Sequence, residues 1–349
     1  MERRLSPFAF LFALLVALIA VFGAAVLLPH DRYYRYQAHD SGTTRKADWI
    51  YERLHFDPTP VDVALIGTSR MAGGIGESIV ETEYCRVTGR SIHVANLGIP
   101  ETGRNMHYAI LKEAARTKRP ALFIVELNEI ESRKPHNGFI VLADAGDVLT
   151  APAAINLNYF SDLIRLPGRQ AELFLESVTA RPAIRARFDP AHYEGPHFDR
   201  VRTIKLLDGR SVDKDVTLAA SDLDARFEER MAGEAPFHVL PGPLARLEYR
   251  YPRAYLRRME EAAGRSGAGL AYAFLPAYRA GEMPKPLADE LDVHPAFDLG
   301  GSGAGDAGYW FDATHWNARG AELASQRLGL MLARQAPVLG REGCSLAPH

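Results

Sequence analysis

The longest uninterrupted apolar stretch of the chain runs from Phe8 to Leu28, behind Glu2-Arg3-Arg4 and ahead of Pro29-His30-Asp31-Arg32. About 20 apolar residues is the helix length that crosses a bilayer, so this stretch predicts one transmembrane helix. Beyond it the apolar runs are short. Val61 to Ile66, flanked by Pro60 and Gly67, then Ile92 to Leu97 and Leu122 to Leu127 read as buried strands. Helical periodicity fills the intervals, most clearly over Asn105 to Lys118. After a long break the rhythm resumes with a helical Tyr251 to Arg265 and a strand-like Leu270 to Leu275 before Pro276. Strands alternating with helices predict an α/β fold on a parallel sheet.

This patterning divides the chain into an anchor (1–30), a polar tether and entry (31–60), a first core segment (61–134), an insertion (135–245), a second core segment (246–335) and a flexible tail (336–349). The insertion breaks the rhythm. Within it Glu172 to Arg187 is helix-like, and Ile204 to Val216 carries a hairpin-like turn at Leu207-Asp-Gly-Arg210. A segment of this kind laid over a crevice is expected to set substrate choice.

A transmembrane reading has a rival in a cleavable signal peptide, for which Gly23 and Ala25 offer small residues. The apolar region of such a peptide is usually only ~7–15 residues, so length favours an uncleaved anchor. Arg3 and Arg4 are then expected to stay cytoplasmic. Everything after Leu28 lies outside the cell's inner membrane, in the periplasm where there is one. The net charge of −2 supplies no basic field and excludes a nucleic-acid partner on electrostatic grounds. Cys85 and Cys344, the two cysteines, have no metal-ligand spacing; on the outer side they can pair or remain free thiols.

Two short pieces carry the candidate chemistry. Ser69 follows the first strand in Gly67-Thr68-Ser69-Arg70, and Asp312-Ala-Thr-His315 precedes the last helical stretch. A serine hydroxyl is a poor nucleophile until an imidazole takes its proton. A carboxylate on the other ring nitrogen then fixes the tautomer and stabilises the imidazolium. Ser69, His315 and Asp312 fit these roles as nucleophile, base and orienter. The turn after a strand's C-terminal end is also where open α/β sheets place their sites. Each piece has a bland alternative: the serine as a loop or helix cap, Asp312 as a cap, His315 as a surface histidine.

At these residues the chain resembles the SGNH (GDSL-like) hydrolases, over 61 to about 130 and about 268 to 334. The family's Gly-Asp-Ser turn appears as Gly67-Thr68-Ser69, with Thr68 in place of the aspartate. Its oxyanion glycine corresponds to Gly98 in Val94-Ala-Asn-Leu-Gly98, and its Gly-x-Asn-Asp block to Glu126-Leu-Asn128-Glu129, with Glu126 in place of glycine. Tyr309-Trp-Phe-Asp312-Ala-Thr-His315-Trp-Asn317 looks like membrane-anchored envelope members that act in D-alanyl transfer to teichoic acids or in O-acetylation of alginate and other exopolysaccharides. The resemblance implies a three-layer αβα sandwich of flavodoxin-like order, no cofactor, and an oxyanion hole made by the Ser69 amide, the Gly98 amide and the Asn128 side chain. Asn105 is the substitute if Asn128 points elsewhere, or else a helix cap. Arg70 steers an anionic substrate or is simply solvated.

The expected function is therefore an anchored, extracytoplasmic serine O-acyltransferase or esterase acting on acyl groups, acetyl foremost, of an envelope or exopolysaccharide glycan. Its partners are an acylated glycan or acyl donor and, by the resemblance, a membrane-bound acyltransferase. The alternative is a non-catalytic anchored module that binds glycan or scaffolds an acylation complex, which the departures at Thr68 and Glu126 keep open. His192, Glu194, His197 and Asp199 lack a ligand pattern and read as surface loop rather than metal site. Gly300 to Gly305 lacks the strand and Lys-Ser/Thr of a phosphate loop and reads as a mobile active-site loop. Tyr193, Phe198, Trp310 and Trp316 offer flat faces to sugar rings or pack inside.

Overall fold

A computed structural model describes residues 6–37, 46–179, 187–205, 210–233, 238–301 and 305–344. Helix α1 (Pro7–Val26) begins with Pro7 in its first turn and the Ser6 hydroxyl accepting from the Ala9 N–H at 3.2 Å. It is the apolar helix foreseen, long enough to cross a membrane, with a mean hydropathy of 2.8 and none of its apolar window buried in the protein.

Short helices α2 (Arg32–Gln37), within the expected polar tether, and α3 (Ala47–His55), in the entry to the core, follow. The helical tether is a correction with a simple cause. Tyr33, Tyr34, Tyr36, Trp49, Ile50 and Leu54 are buried, although the charged residues between them make the segment polar on average. Residues 38–45 lie outside the described residues.

The core then runs β1 (Val63–Ile66), α4 (Ser69–Gly74), α5 (Glu77–Thr88), β2 (Arg90–Ser91), β3 (Val94–Asn96), α6 (Arg104–Thr117) and β4 (Leu122–Leu127). Next come α7 (Phe139–Leu142), α8 (Ala145–Leu149), α9 (Tyr159–Thr179), the pair β5 (Thr203–Lys205) and β6 (Ser211–Asp213), and α10 (Ala220–Gly233). The chain closes with α11 (Arg250–Ser266), β7 (Gly269–Phe274), α12 (Lys285–Leu291), β8 (Phe297–Asp298), α13 (Ala318–Gln335) and β9 (Arg341–Glu342).

Five strands form one parallel sheet in the order β3-β1-β4-β7-β8, with Val63 level with both Val94 and Leu122. All four residues of β1 are buried, as expected of a parallel strand covered on both faces. Val63 and Leu65 join one core with Ile124, Val80, Tyr84 and Leu328, while Ala64 and Ile66 join another with Phe123, Val125, Leu111 and Met259. Helices α5 and α13 pack together, as do α6 and α11. Because the chain leaves β1 for β3 on one side and returns to β4 on the other, the sheet has its topological switch at the C-terminal end of β1, where a crevice opens in folds of this kind. Ser69 begins there.

The insertion does not pack as one unit. Phe139, Ile140, Leu142, Val148 and Leu166 join the core that holds α6 and α11, whereas Val201 and Leu223 join the other. Helix α9 starts at Tyr159 rather than near Glu172 and contains Pro167; residues 180–186 of the expected helix lie outside the described residues. The hairpin is present, pairing Thr203 with Asp213, and 206–209 of its turn lie outside the described residues. The tail is a further correction, as far as Cys344. Tyr84 donates its hydroxyl to the carbonyls of Ala336 (2.8 Å) and Leu339 (2.9 Å), β9 pairs antiparallel with β2, and Cys344 is disulfide-bonded to Cys85 with Cα atoms 5.9 Å apart. The two cysteines thus pair.

Candidate active site

Ser69 and His315, 246 residues apart in sequence, meet: Ser69 Oγ is 2.8 Å from His315 Nε2. His315 Nδ1 lies 2.9 Å and 3.1 Å from the two oxygens of Asp312. A carboxylate only accepts, so Nδ1 carries the hydrogen and Nε2 is left with a lone pair toward the serine. Asp312 Oδ1 also accepts from the Thr314 N–H (2.7 Å), the Thr314 hydroxyl (2.8 Å) and the His315 N–H (2.9 Å). Burial alone would raise the Asp312 pKa, but the hydrogen bond and charge of His315 and the Thr314 donors hold it well below the usual carboxylate range. It therefore stays ionised wherever the protein works near neutrality. The side chains of Asp312 and His315 are 30% and 31% exposed, so the group is reachable from solvent.

The turn that carries Asp312 and His315 is braced from behind. Trp310 and Trp316 form an isolated β-bridge and are both buried, their rings 5.9 Å apart. They pack, and so do Tyr193, whose hydroxyl donates to Asp57 at 2.6 Å, and Phe198, 5.1 Å from Trp49. The flat-face reading fails for Trp310, which is fully buried. The Ala313 carbonyl accepts from the Tyr278 N–H at 3.0 Å, tying the turn to the chain after β7. Asn317, which the sequence had not singled out, caps α13 through Gly320 N–H (3.0 Å) and donates its amide to the carbonyls of Val216 (3.0 Å) and Gly308 (2.9 Å). An Asn just ahead of a helical run was the available signal.

Around the serine, the two departures from the family pattern turn out to be partners. The buried Glu126 carboxylate accepts from the Thr68 N–H (2.8 Å), the Thr68 hydroxyl (2.7 Å) and the Met71 N–H (3.1 Å). The carboxylate that caps the first turn of α4 thus comes from the neighbouring strand rather than from the residue before the serine. Gly67 is required by this arrangement, since a Cβ there would lie 2.3 Å from Glu126 Oε2. Thr68 Oγ1 in turn accepts from the Arg70 N–H at 3.2 Å. Of the amides from Thr68 to Met71, the Ser69 N–H alone has no acceptor among the described residues.

The other predicted oxyanion groups fare differently. Gly98 packs on α4, where a Cβ would lie 2.9 Å from Ala72 N, and its own N–H donates to Asn96 Oδ1 at 3.2 Å. Asn96 also donates to the Met71 and Ile75 carbonyls, both at 2.8 Å, so it clasps the end of α4. Asn128 is buried with Oδ1 3.4 Å from Arg70 Nη1, and its Nδ2 has no acceptor among the described residues. Asn105 is neither substitute nor cap: its amide is held by the His136 N–H (2.9 Å) and carbonyl (3.4 Å).

Arg70 is not solvated. It forms a two-pronged ion pair with Glu129 at 2.6 and 2.8 Å and donates to the Leu275 carbonyl at 2.9 Å. Burial would raise the Glu129 pKa, yet Arg70 and Arg230 hold it down to about 2. Lys214, from β6's end, donates to the Gly73 carbonyl at the far end of α4. Burial pushes its pKa down to about 8, against the pull of Asp199 and Asp312.

His192, Glu194 and His197 each have separate partners, Asp189, Arg200 and Glu81, while Asp199 meets Ser78. Among the described residues no three His, Cys, Asp or Glu side chains converge on a metal position. Of the Gly300 to Gly305 loop, 302–304 lie outside the described residues. An open groove along α13, lined by Leu299, Tyr309, Trp316, Leu323 and Arg327, includes none of Ser69, Asp312 and His315. Comparison with family models, with curated proteins and with solved structures finds no match.

Proposed function

We propose that the chain is a membrane-anchored, SGNH-like serine O-acyltransferase or esterase that works through an acyl-serine intermediate on acyl groups, acetyl foremost, of an envelope or exopolysaccharide glycan. The observation that carries this reading is the Ser69–His315–Asp312 hydrogen-bonded chain at 2.8 and 2.9 Å, on a turn at the C-terminal end of a parallel strand. Two paired helix layers about the sheet support the three-layer αβα architecture of that superfamily.

In the proposed cycle Ser69 Oγ attacks the acyl carbonyl while His315 Nε2 takes its proton. The electron pair moves onto the carbonyl oxygen, beside the Ser69 N–H with Asn128 Nδ2 as the second donor; such donors are typically worth a factor of ~10²–10³ each. The tetrahedral species collapses, His315 returns the proton to the departing donor oxygen, and the acyl group stays on Ser69. An acceptor hydroxyl, or water, then repeats the sequence in reverse. Gly98 N–H joins the hole only by giving up Asn96. The mutual hydrogen bonding of Thr68 and Glu126 supports a built site over a remnant.

Helix α1 is read as a single-pass anchor in the inner membrane, with the α/β body on the outer side. The Cys85–Cys344 disulfide supports that side, because such bonds persist in oxidising compartments. A membrane-bound acyltransferase remains the proposed donor partner. The test is full-length protein in detergent with p-nitrophenyl acetate, wild type against Ser69→Ala, with intact mass read for an acetyl adduct. Turnover and adduct should both vanish in the variant. Turnover that survives it removes Ser69 from the chemistry, and a folded wild type with neither turnover nor adduct favours the non-catalytic module.

A further inference from the structure

Helix α9 has two apolar sides. One faces the protein through Leu166 and Leu173. On the other, Phe160 and Ile164, with Leu157 just ahead of the helix, are spaced three and four apart and are 75%, 78% and 77% exposed. Three large neighbouring apolar side chains so bare need a partner, and the fold indicates which.

The middle of α9 is pinned to the end of α1. Gln170 Nε2 donates to the Val26 carbonyl at 3.0 Å, and seven residues later Ser177 Oγ accepts from the Asp31 N–H at 3.1 Å. Passing from Gln170 to Ser177 therefore follows the direction in which the chain leaves α1. The half of α9 before Gln170 points back toward α1's own territory. Ile164 lies about 9 Å behind Gln170 and Phe160 about 15 Å, at 1.5 Å per residue. The 20 residues of α1 are about as long as the hydrocarbon layer is thick, ~30 Å, so Val26 marks the level at which the chain leaves the bilayer.

We infer that Leu157, Phe160 and Ile164 enter the leaflet from which α1 emerges, beside α1, and give the protein a second membrane contact. The inference rests on the reading of α1 as an anchor and adds to it. Its occupant is the acyl-chain region of that same bilayer, because Gln170 of the same helix is bonded to the end of α1 and the stripe precedes Gln170, at the level of α1. Exposed Arg165, next to Ile164, is placed to reach headgroup phosphate with its apolar stem along the lipid. Two contacts fix the tilt of the body and its height over the membrane, which one flexible anchor does not.

The experiment uses the full chain in phosphatidylcholine/phosphatidylglycerol vesicles, with an environment-sensitive fluorophore on single introduced cysteines and doxyl-labelled lipid as quencher. Ile164→Cys and Phe160→Cys report on α9, Ala17→Cys on α1, and Leu323→Cys on the remote face of α13. Blue-shifted emission that doxyl lipid quenches at 160, 164 and 17, but not at 323, is the expected result. Quenching at 17 without quenching at 160 and 164 overturns the inference and leaves the anchor standing. No quenching at 17 removes the anchor and the inference with it. A blue shift at 164 that lipid does not quench and that grows with protein density assigns the stripe to a second copy, which also overturns it.

Discussion

If Thr68 and Glu126 act as one device, exchanging both for the family's residues should be far less harmful than exchanging either. Glu126→Gly removes the acceptor of two buried N–H groups, Thr68 and Met71, and of the Thr68 hydroxyl. Each unsatisfied N–H costs about 1–3 kcal/mol, so loss of the two amide partners alone should cost roughly 2–6 kcal/mol. Thr68→Asp sets a second carboxylate where Glu126 is now 2.7 Å from the hydroxyl, and two carboxylates so close cannot both ionise. Holding one protonated at pH 7, about three units above its ordinary range, costs roughly 4 kcal/mol. In the double variant the new carboxylate at position 68 stands at the N-cap with no opposing charge and can take an amide of the first turn itself. The double variant should therefore be more stable than the sum of the singles by at least about 2 kcal/mol, a coupling typical of groups in contact. Urea midpoints followed by the fluorescence of the buried Trp49, Trp310 and Trp316 would measure the cycle. Turnover of p-nitrophenyl acetate should follow the same order, since Ser69 sits in the turn being capped. Additivity within about 0.5 kcal/mol, or a harmless Glu126→Gly, refutes the reasoning.

Asp312→Asn should lower kcat by about 10³–10⁴ with little change in KM, because His315 loses the acceptor that fixes its tautomer; an unaltered kcat would separate Asp312 from the chemistry. For Glu129, whose folded pKa of about 2 lies below its ordinary 4.5, the contribution to stability is complete above about pH 4.5 and is lost as pH falls toward 2. Wild type should thus lose about 3 kcal/mol across that window, and Glu129→Gln, less stable at neutral pH, should show a flatter acid slope; parallel slopes in acid denaturation would contradict it. Reduction of Cys85–Cys344 should cost on the order of 2–4 kcal/mol and expose β9 to hydrogen exchange first, whereas coincident denaturation curves with and without dithiothreitol would show that the tail is held without the bond.

Much of the sheet was legible because parallel strands covered on both faces are short apolar runs, as Val63–Ile66 is and as Leu122–Leu127 is but for Glu126. Strand β8 was not, since two residues carry no period. Ser69, Asp312 and His315 were legible as candidates because the proposed acyl chemistry calls for those side chains in those roles, and Asp312 and His315 are only three residues apart. The support around them was hidden, for it is made by tertiary contacts: Glu126 reaching from another strand, Asn96 clasping the end of α4, Lys214 arriving from the insertion. Helices α2 and α3 were hidden by averaging, as buried tyrosines alternate there with arginine and glutamate.

The distance in sequence between Ser69 and His315, 246 residues, also orders events in time. A ribosome adds roughly 5–20 residues per second, so the serine exists for about 12–50 s before its base has been made. During that interval it lacks the imidazole that the proposed mechanism requires to activate it. On the proposed mechanism, Ser69 gains its base only when the segment carrying Asp312 and His315 docks, so a chain truncated ahead of residue 312 should form no acyl-serine.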